Sequence, residues 1–339
     1  MTPPVTLEIT VAPVDLPVAR HTLPHQLRQF GGQVAEIQFT LDLHKSRGRY
    51  GAAAEERRPE LEALLRDLCD HHPHARVKVV DYNDEAKRAV AARFFGGREV
   101  PAKHHYGGPI YSYFYGWHAA QHDVVFHIDC DMLFGGGSQT WVAEAVGLLQ
   151  ARADTLLVSP FPGPPPKAGL SEDALARHGW VARRTPREIP AEPFAYAFPS
   201  ASTRLFLFDR AEFEQRLAPL PLERPRARSF ARAVVEGHAP YELPEVTMTR
   251  LMEERDLWRV DMLGSAPGMW SLHPAMRSDE FYEALPELVR RAEEGDVPEE
   301  QRGDFDVNDS MVDWASARRA QRKQTWPRRL ARRLLRRAG

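Results

Sequence analysis

Cysteine is nearly absent. Only Cys69 and Cys130 occur among 339 residues, too few for a disulfide framework, so two free thiols and a fold held by its core are expected. No apolar run reaches the roughly 18 residues that a bilayer-spanning helix needs. The opening Met1-Thr2-Pro3-Pro4 has neither the basic nor the apolar segment of a secretory leader. Together these absences predict a cytoplasmic address. Net charge is small as well, at −2, but it is unevenly spread. Residues 318–339 hold ten of the 45 basic residues and no acid, which leaves 35 bases against 47 acids in residues 1–317, a formal −12. An acidic body with a basic tail is a signal about partners rather than about fold.

What is present supports a large α/β core, with 43% apolar and 9% aromatic residues. Strands are expected at 7–11, 34–41, 77–80, 124–129 and 156–158. Helices are expected at 21–30, at 58–69 where Leu61, Leu64, Leu65 and Leu68 keep a 3.6-residue period, at 110–121, and at 140–150 with Ser138 as N-cap. Strand and helix alternate through residue 160 or so, the pattern of a mostly parallel sheet with helices on both faces. The second half is less regular. Five prolines between 159 and 167 read as a stiff surface loop. Strands at 205–208 and 258–263 and a helix at 245–254 follow, then a charged, partly helical stretch from 278 to 313.

The chemistry gathers at strand ends. Three expected strands end in an acid: Asp42, Asp81 and Asp129. The last is Val124-Val125-Phe126-His127-Ile128-Asp129-Cys130-Asp131, an apolar run closed by two carboxylates. Side chains i and i+2 of a strand point the same way, so Asp129 and Asp131 can offer hard oxygen ligands to one divalent cation. The carboxyl ends of parallel strands are where open α/β sheets bind ligands. The plainer alternative is an Asp-rich turn whose carboxylates bond backbone amides.

In the order of these elements, the chain resembles the GT-A glycosyltransferases, family 2 most of all, over about residues 5–275. The resemblance implies a GT-A type, Rossmann-like sheet in residues 1–275, with a nucleotide-sugar half (1–160) and an acceptor half (161–275). A helical extension (276–317) and a basic amphipathic tail (318–339) complete the expected organisation. Carried over residue by residue, it implies that Asp81, with Pro13 and Asp42, lines the nucleoside pocket. Asp129 would lie at the ribose and metal, and Asp131 would bind Mn²⁺ or Mg²⁺, with His273 as a further ligand. Glu245, or Glu242, in Tyr241-Glu242-Leu243-Pro244-Glu245 would be the general base of an inverting transfer from a UDP- or GDP-sugar to a lipid-linked or cell-surface glycan acceptor. The chain departs from the pattern in three places. Leu41-Asp42-Leu43-His44-Lys45 replaces an Asp-Asp-Gly-Ser type turn, Tyr111-Ser112 stands where Arg-Asn is common, and two residues separate Glu242 from Glu245. These departures leave open a non-catalytic, membrane-docked binding protein. A nucleotidyltransferase of related fold, which also uses Asp-X-Asp at a strand end, stays open too, although residues 11–18 contain no Gly.

Other motifs carry less. Gly135-Gly136-Gly137 reads equally as a diphosphate approach or a flexible turn. His104-His105 are candidates for the donor pocket and Ser202 and Thr203 for acceptor contacts, whereas His71-His72-Pro73-His74 reads as solvated loop. The segment 304–315 lacks the Gly and Glu of a calcium loop. On a helical wheel, residues 326–338 place Leu330, Ala331, Leu334, Leu335 and Ala338 opposite six arginines. That segregation fits a helix lying on an anionic membrane surface, at the inner face of the membrane, and no nucleic-acid partner is expected.

Overall fold

The computed structural model describes residues 2–44, 54–178, 182–190 and 194–323, with side chains as far as 320. One path of hydrogen-bonded strands runs through the middle. Its members are β1 (Val5–Val11), β2 (Glu36–Leu41), β3 (Ala75–Val79), β4 (Val124–Asp129), β6 (Thr155–Pro162), β7 (Arg187–Glu188), β8 (Ala195–Phe198), β9 (Leu205–Asp209) and β10 (Trp258–Met262). Their spatial order is β3-β2-β1-β4-β9-β6-β10-β8-β7, while β5 (Leu133–Gly135) and β11 (Trp270–Leu272) pair beside β6. β1 is parallel to both β2 and β4, β2 to β3, and β6 to β10, while β9 runs antiparallel between β4 and β6. The carboxyl ends of β1, β2, β3, β4, β6 and β10 therefore share one rim. The chain crosses from one side of β1 to the other between β3 and β4, which makes the β1–β4 gap a topological switch point.

Helices cover both faces. On one side the sheet's leucines, isoleucines and phenylalanines pack under α1 (Leu16–Phe30), α2 (Ala54–His71) and α5 (Trp141–Ala151). On the other they meet α3 (Asp84–Phe95), α4 (Tyr111–Ala119), α7 (Arg210–Arg216) and α9 (Pro244–Glu254). α6 (Glu172–His178) and α8 (Ala227–Glu236) each bury a single residue, Ala174 and Ala233. A third cluster forms at the β5–β11 end, where α10 (Asp279–Glu294) buries Phe281, Leu285 and Leu288, and Trp314 precedes α11 (Ala315–Lys323). The core is large, and it is not all apolar.

The second face of β1 is polar yet sealed. Val5, Leu7, Ile9 and Val11 pack toward α1, whereas Thr6, Glu8 and Thr10 alternate with them and are buried too. Glu36, Gln38 and Thr40 of β2 and His127 of β4 are likewise buried. They bond one another: Thr6 donates to Glu36 at 2.5 Å, Thr10 to Glu8 at 3.0 Å, and Gln38 to Thr40 at 3.1 Å and to the Gly116 carbonyl at 2.9 Å. Such a layer is tolerable in a core only when its groups find partners.

Several local expectations change. Of the five prolines after 159, Pro160 and Pro162 belong to β6, every residue of which is buried, while Pro164, Pro165 and Pro166 follow it outside any strand or helix. Alternation explains the first two: Phe161 and Gly163 supply the amide donors, to Met269 and Ser271, while the two donor-less prolines fall on the other positions. α1 starts at Leu16 rather than near 21, with Pro17 in its first turn. α3 was not anticipated; Asn83 caps it by accepting from the Ala86 amide at 2.8 Å, and Gly96 ends it in the left-handed region at φ 60°. Ser138 is not the N-cap of α5. Thr140 holds that place, and the Ser138 hydroxyl only receives its amide at 3.3 Å.

Gly116 lets α4 approach the polar layer. A Cβ there would lie 2.5 Å from Glu8 Oε1 and 2.8 Å from Thr40 Oγ1. Replacing glycine by alanine inside a helix ordinarily stabilises by about 1 kcal/mol. Gly116→Ala is expected to do the reverse and cost about 1–3 kcal/mol in urea unfolding, through overpacking. A variant as stable as wild type would contradict this packing.

Candidate functional site

β4 delivers the central pair. Asp129 is its last residue, Cys130 packs into the core, and Asp131 follows almost fully buried. The two carboxylates lean on different partners. Asp129 Oδ1 accepts from the Tyr113 hydroxyl of α4 at 2.6 Å and lies 4.0 Å from His127 Nε2. Asp131 Oδ2 accepts a fork from Arg277, with Nε at 2.9 Å and Nη2 at 2.7 Å. Asp131 Oδ1 is buried without a partner. Burial and the neighbouring Asp131 charge push the Asp129 carboxyl upward. Burial would raise Asp131 too, but Arg277, with His273 and Arg204, holds it below the usual carboxylate range. The negative charge of the pair therefore resides first on Asp131.

Arg277 reaches further. Its Nη1 donates to Asp15 Oδ1, and the other oxygen of Asp15 accepts the Ala12 amide at 2.8 Å. Asp15 closes the turn that leads from β1 into α1 and contains Pro13. A chain of alternating charge thus crosses the switch point from β1 to the segment before α10. On its far side stands His273, just past β11, stacked on Phe305 with ring centres 5.8 Å apart. His273 Nε2 is 4.0 Å from Asp131 Oδ2. Its Nδ1 has Arg204 Nη1 at 2.8 Å and Asp306 Oδ1 at 2.9 Å. Burial, then Arg204, lowers its pKa, opposed by Asp306 and Asp131. Nδ1 can serve only one of its two neighbours: a proton on it bonds Asp306 and leaves the Nε2 lone pair for a cation, whereas accepting from Arg204 puts the proton on Nε2, toward Asp131.

These donors fit a divalent cation in part. An orphaned carboxylate oxygen, a second carboxylate and an imidazole nitrogen are suitable ligands. Yet among the described residues no three His, Cys, Asp or Glu side chains converge on one point as they stand. A cation here would need oxygen ligands from a substrate as well.

Glu245 joins the same cluster. It lies in the first turn of α9, and its Oε1 accepts the Thr203 hydroxyl at 2.7 Å. The Thr203 carbonyl accepts from His127 Nε2 at 2.8 Å, and the Arg204 carbonyl accepts the Asp129 amide at 2.7 Å. Glu242 is placed elsewhere. It accepts the Leu243 amide at 3.0 Å and lies 3.6 Å from His105 Nδ1. Asp42 and Asp81 stand along the rim at the ends of β2 and β3. Asp42 is buried, ion-paired to Lys103 at 2.7 Å and bonded by Tyr82 and the His44 amide, both at 2.9 Å. Asp81 is exposed and spends its carboxylate on Asn83, with both contacts at 2.8 Å. Tyr82 and Tyr111 pack ring to ring between them at 4.8 Å.

The weaker motifs resolve as packing. Gly135 makes room for Trp270, since a Cβ would lie 2.0 Å from its ring, and a Cβ on Gly136 would meet the Gly268 carbonyl oxygen at 2.4 Å. His104 is half-buried, and its desolvation, with His105 beside it, pulls its pKa down to about 3. Arg318, first of the basic tail, forks onto Asp309 at 2.8 and 2.9 Å. Residues 324–339, and with them the expected membrane helix, lie outside the described residues. Among the described residues no helix is long and apolar enough to cross a membrane. Sequence reading missed Asp15, Tyr113, His127, Arg204, Arg277 and Asp306. Asp306 entered that reading only within the rejected calcium loop, and no local motif flagged the others.

No family model matches the chain, and no curated protein does. Solved structures with a similar arrangement include S. aureus TarS residues 1–349 in complex with UDP-GlcNAc, at 9% identity and TM-score 0.40, covering 84% of this chain and 65% of that one. The chain thus spans just under two thirds of that protein fragment. The galactosyltransferase LgtC, in complex with donor and acceptor sugar analogues, aligns at 13% identity and TM-score 0.37, covering 88% of this chain and 99% of that one. Mycobacterium tuberculosis glucosyl-3-phosphoglycerate synthase with Mn²⁺, UDP and phosphoglyceric acid aligns at 14% identity and TM-score 0.37, covering 86% and 77%. Likeness at this level is distant, so this chain's own residues have to carry the function.

The Asp42–Lys103 pair gives a stability test. Burial opposes the Asp42 charge, but Lys103 and two further hydrogen-bonding neighbours, His44 and Tyr82, outweigh it and lower the pKa. A carboxylate with a depressed folded-state pKa stabilises in full above its unfolded value near 4, and that contribution is lost as pH falls through the folded value. Lys103→Met should therefore cost about 3 kcal/mol at pH 7, by stranding a buried charge. The gap from wild type should narrow as the pH is lowered toward 4 and below. A small, pH-independent gap in urea titrations would contradict the pairing.

Proposed function

We propose that the chain is a metal-dependent, inverting glycosyltransferase of GT-A type. It would move a sugar from a UDP- or GDP-sugar to a hydroxyl of a lipid-linked or cell-surface glycan. The observation that carries this reading is the pair Asp129–Asp131 at the β1–β4 switch point, with one buried oxygen of Asp131 unpartnered and Glu245 tied into the same cluster. Carboxylates at such a rim suit a diphosphate ligand only with a cation beside them.

The residues divide the work along the rim. Asp42, Asp81 and Pro13, with the Tyr82–Tyr111 rings, would receive the nucleoside, and Asp129 the ribose. Asp131 and Asp129, with His273, would hold Mn²⁺ or Mg²⁺. When bound, that cation supplies the positive charge that stabilises the departing diphosphate. Glu245 would accept the acceptor hydroxyl's proton as its oxygen bonds the anomeric carbon and the bond from that carbon to the diphosphate breaks. The nucleoside diphosphate leaves with the electron pair. The basic tail 318–339 would bring the enzyme to an anionic membrane surface on the cytoplasmic side.

Arg277 on Asp131 favours a second reading, in which a guanidinium already fills the cation's role and the protein binds a nucleotide-sugar without turning it over. Turnover decides between the two. Release of nucleoside diphosphate from a panel of UDP- and GDP-sugars with Mn²⁺ is expected for one donor. Glu245→Gln should slow it about 10²–10⁴-fold, with little change in donor KM. No release from any donor would contradict the transferase, and an unimpaired Glu245→Gln would remove Glu245 as base.

A further inference from the structure

His127 and Glu8 form an ion pair inside the sheet, directly behind the candidate site. They are register partners across the parallel β1–β4 pair, so their side chains share a face. Both are fully buried, and His127 Nδ1 meets Glu8 Oε2 in a short contact. Thr10 donates to the other Glu8 oxygen at 3.0 Å. A buried ion pair contributes little net stability over an apolar pair of similar volume. Its place in the site suggests another role.

The imidazole touches both arms of the site. Its Nε2 is 2.8 Å from the Thr203 carbonyl, which can only accept, so that nitrogen carries a proton. Thr203 in turn donates its hydroxyl to Glu245 at 2.7 Å. The edge of the same ring packs against Tyr113 at 4.9 Å, and the Tyr113 hydroxyl reaches Asp129 at 2.6 Å. Trp117 and Phe206, each 5.5 Å from the ring centre, leave it no space to turn. Glu8 fixes the ring from behind. The loop at 203–204 thus hangs from β4 by two bonds, one from the His127 ring to Thr203 and one from the Asp129 amide to Arg204.

We propose that the Glu8–His127 pair is a positioning device that sets the Glu245 carboxylate, through Thr203, against Asp129. It rests on the reading of Glu245 as the group that takes the acceptor's proton. Neither Glu8 nor His127 touches substrate in this arrangement. They act through the loop.

Three variants test it, each followed by kcat, donor KM, melting temperature and a crystal structure. His127→Phe keeps a ring of similar size and deletes the donor. Thr203→Val keeps the shape and deletes only the hydroxyl on Glu245. Glu8→Gln keeps a hydrogen-bonding group behind the ring. Misplacing a reacting group by about 1 Å costs on the order of 10²-fold in rate. His127→Phe and Thr203→Val are expected to lose kcat on that scale while donor KM stays within about threefold, and Glu8→Gln to retain most of the rate. Their crystal structures should show Glu245 displaced from Asp129, with the Asp129 amide still on Arg204. Wild-type kcat in Thr203→Val would overturn the proposal, as would a fall in melting temperature alone or an equal loss of donor affinity. If wild type itself transfers no sugar, the glycosyltransferase reading fails. The crystal structures then still decide the positioning, and a Glu245 unmoved in both variants would refute it.

Discussion

The rim of this sheet depends on Arg277. A carboxylate as buried as Asp131 is costly unless an opposite charge sits against it, and Arg277 supplies that charge through two N–H groups on one oxygen. The same guanidinium is bonded to Asp15, so one side chain joins the exit of β1, the exit of β4 and the segment entering α10. Helix α10 is held independently to α1, through Glu293 on His25 at 2.7 Å and on Arg28. The C-terminal segment therefore completes the site rather than decorating it. Even with Arg277 and Arg204 in place, Asp15, Asp129, Asp131, Asp306 and Glu245 leave the rim electronegative. A cation, or a ligand that brings one, is the natural complement.

Behind the rim lies a second constraint. The polar layer of β1, β2 and β4 is sealed by α4, whose aromatic residues fill the core while Gly116 gives the backbone room to close. Hydrogen-bonded polar groups in a buried layer fix side-chain directions more sharply than apolar contacts do. The layer ends at His127, which passes that rigidity to Thr203 and Tyr113. Two carboxylates on separate elements, Asp129 and Glu245, are thereby referred to one ring.

Legibility in the sequence followed locality. The Asp-X-Asp at the end of an apolar strand, the acids closing β2 and β3, and Glu245 at a helix start are all local patterns, and all lie at the rim. Arg277 was invisible because its partner at position 15 is 262 residues away and only the sheet order brings them together. The polar alternation of β1 and β2 gave no sign of a sealed polar layer, since alternation normally means one wet face and here both faces are covered. The prolines of β6 misled by composition, because their spacing of two is what a strand allows. For α3, the Asn83 cap and the Gly96 stop were present in the sequence, but little apolar periodicity lay between them.

The central claim is that Asp131, with a divalent cation, receives the diphosphate of a nucleotide. Calorimetric titration of UDP and GDP, with and without Mn²⁺, into wild type and Asp131→Asn tests it most directly. The account predicts that one diphosphate binds wild type only when Mn²⁺ is present and fails to bind Asp131→Asn. Binding that is indifferent to both the metal and the substitution, or no binding of either diphosphate, would contradict it.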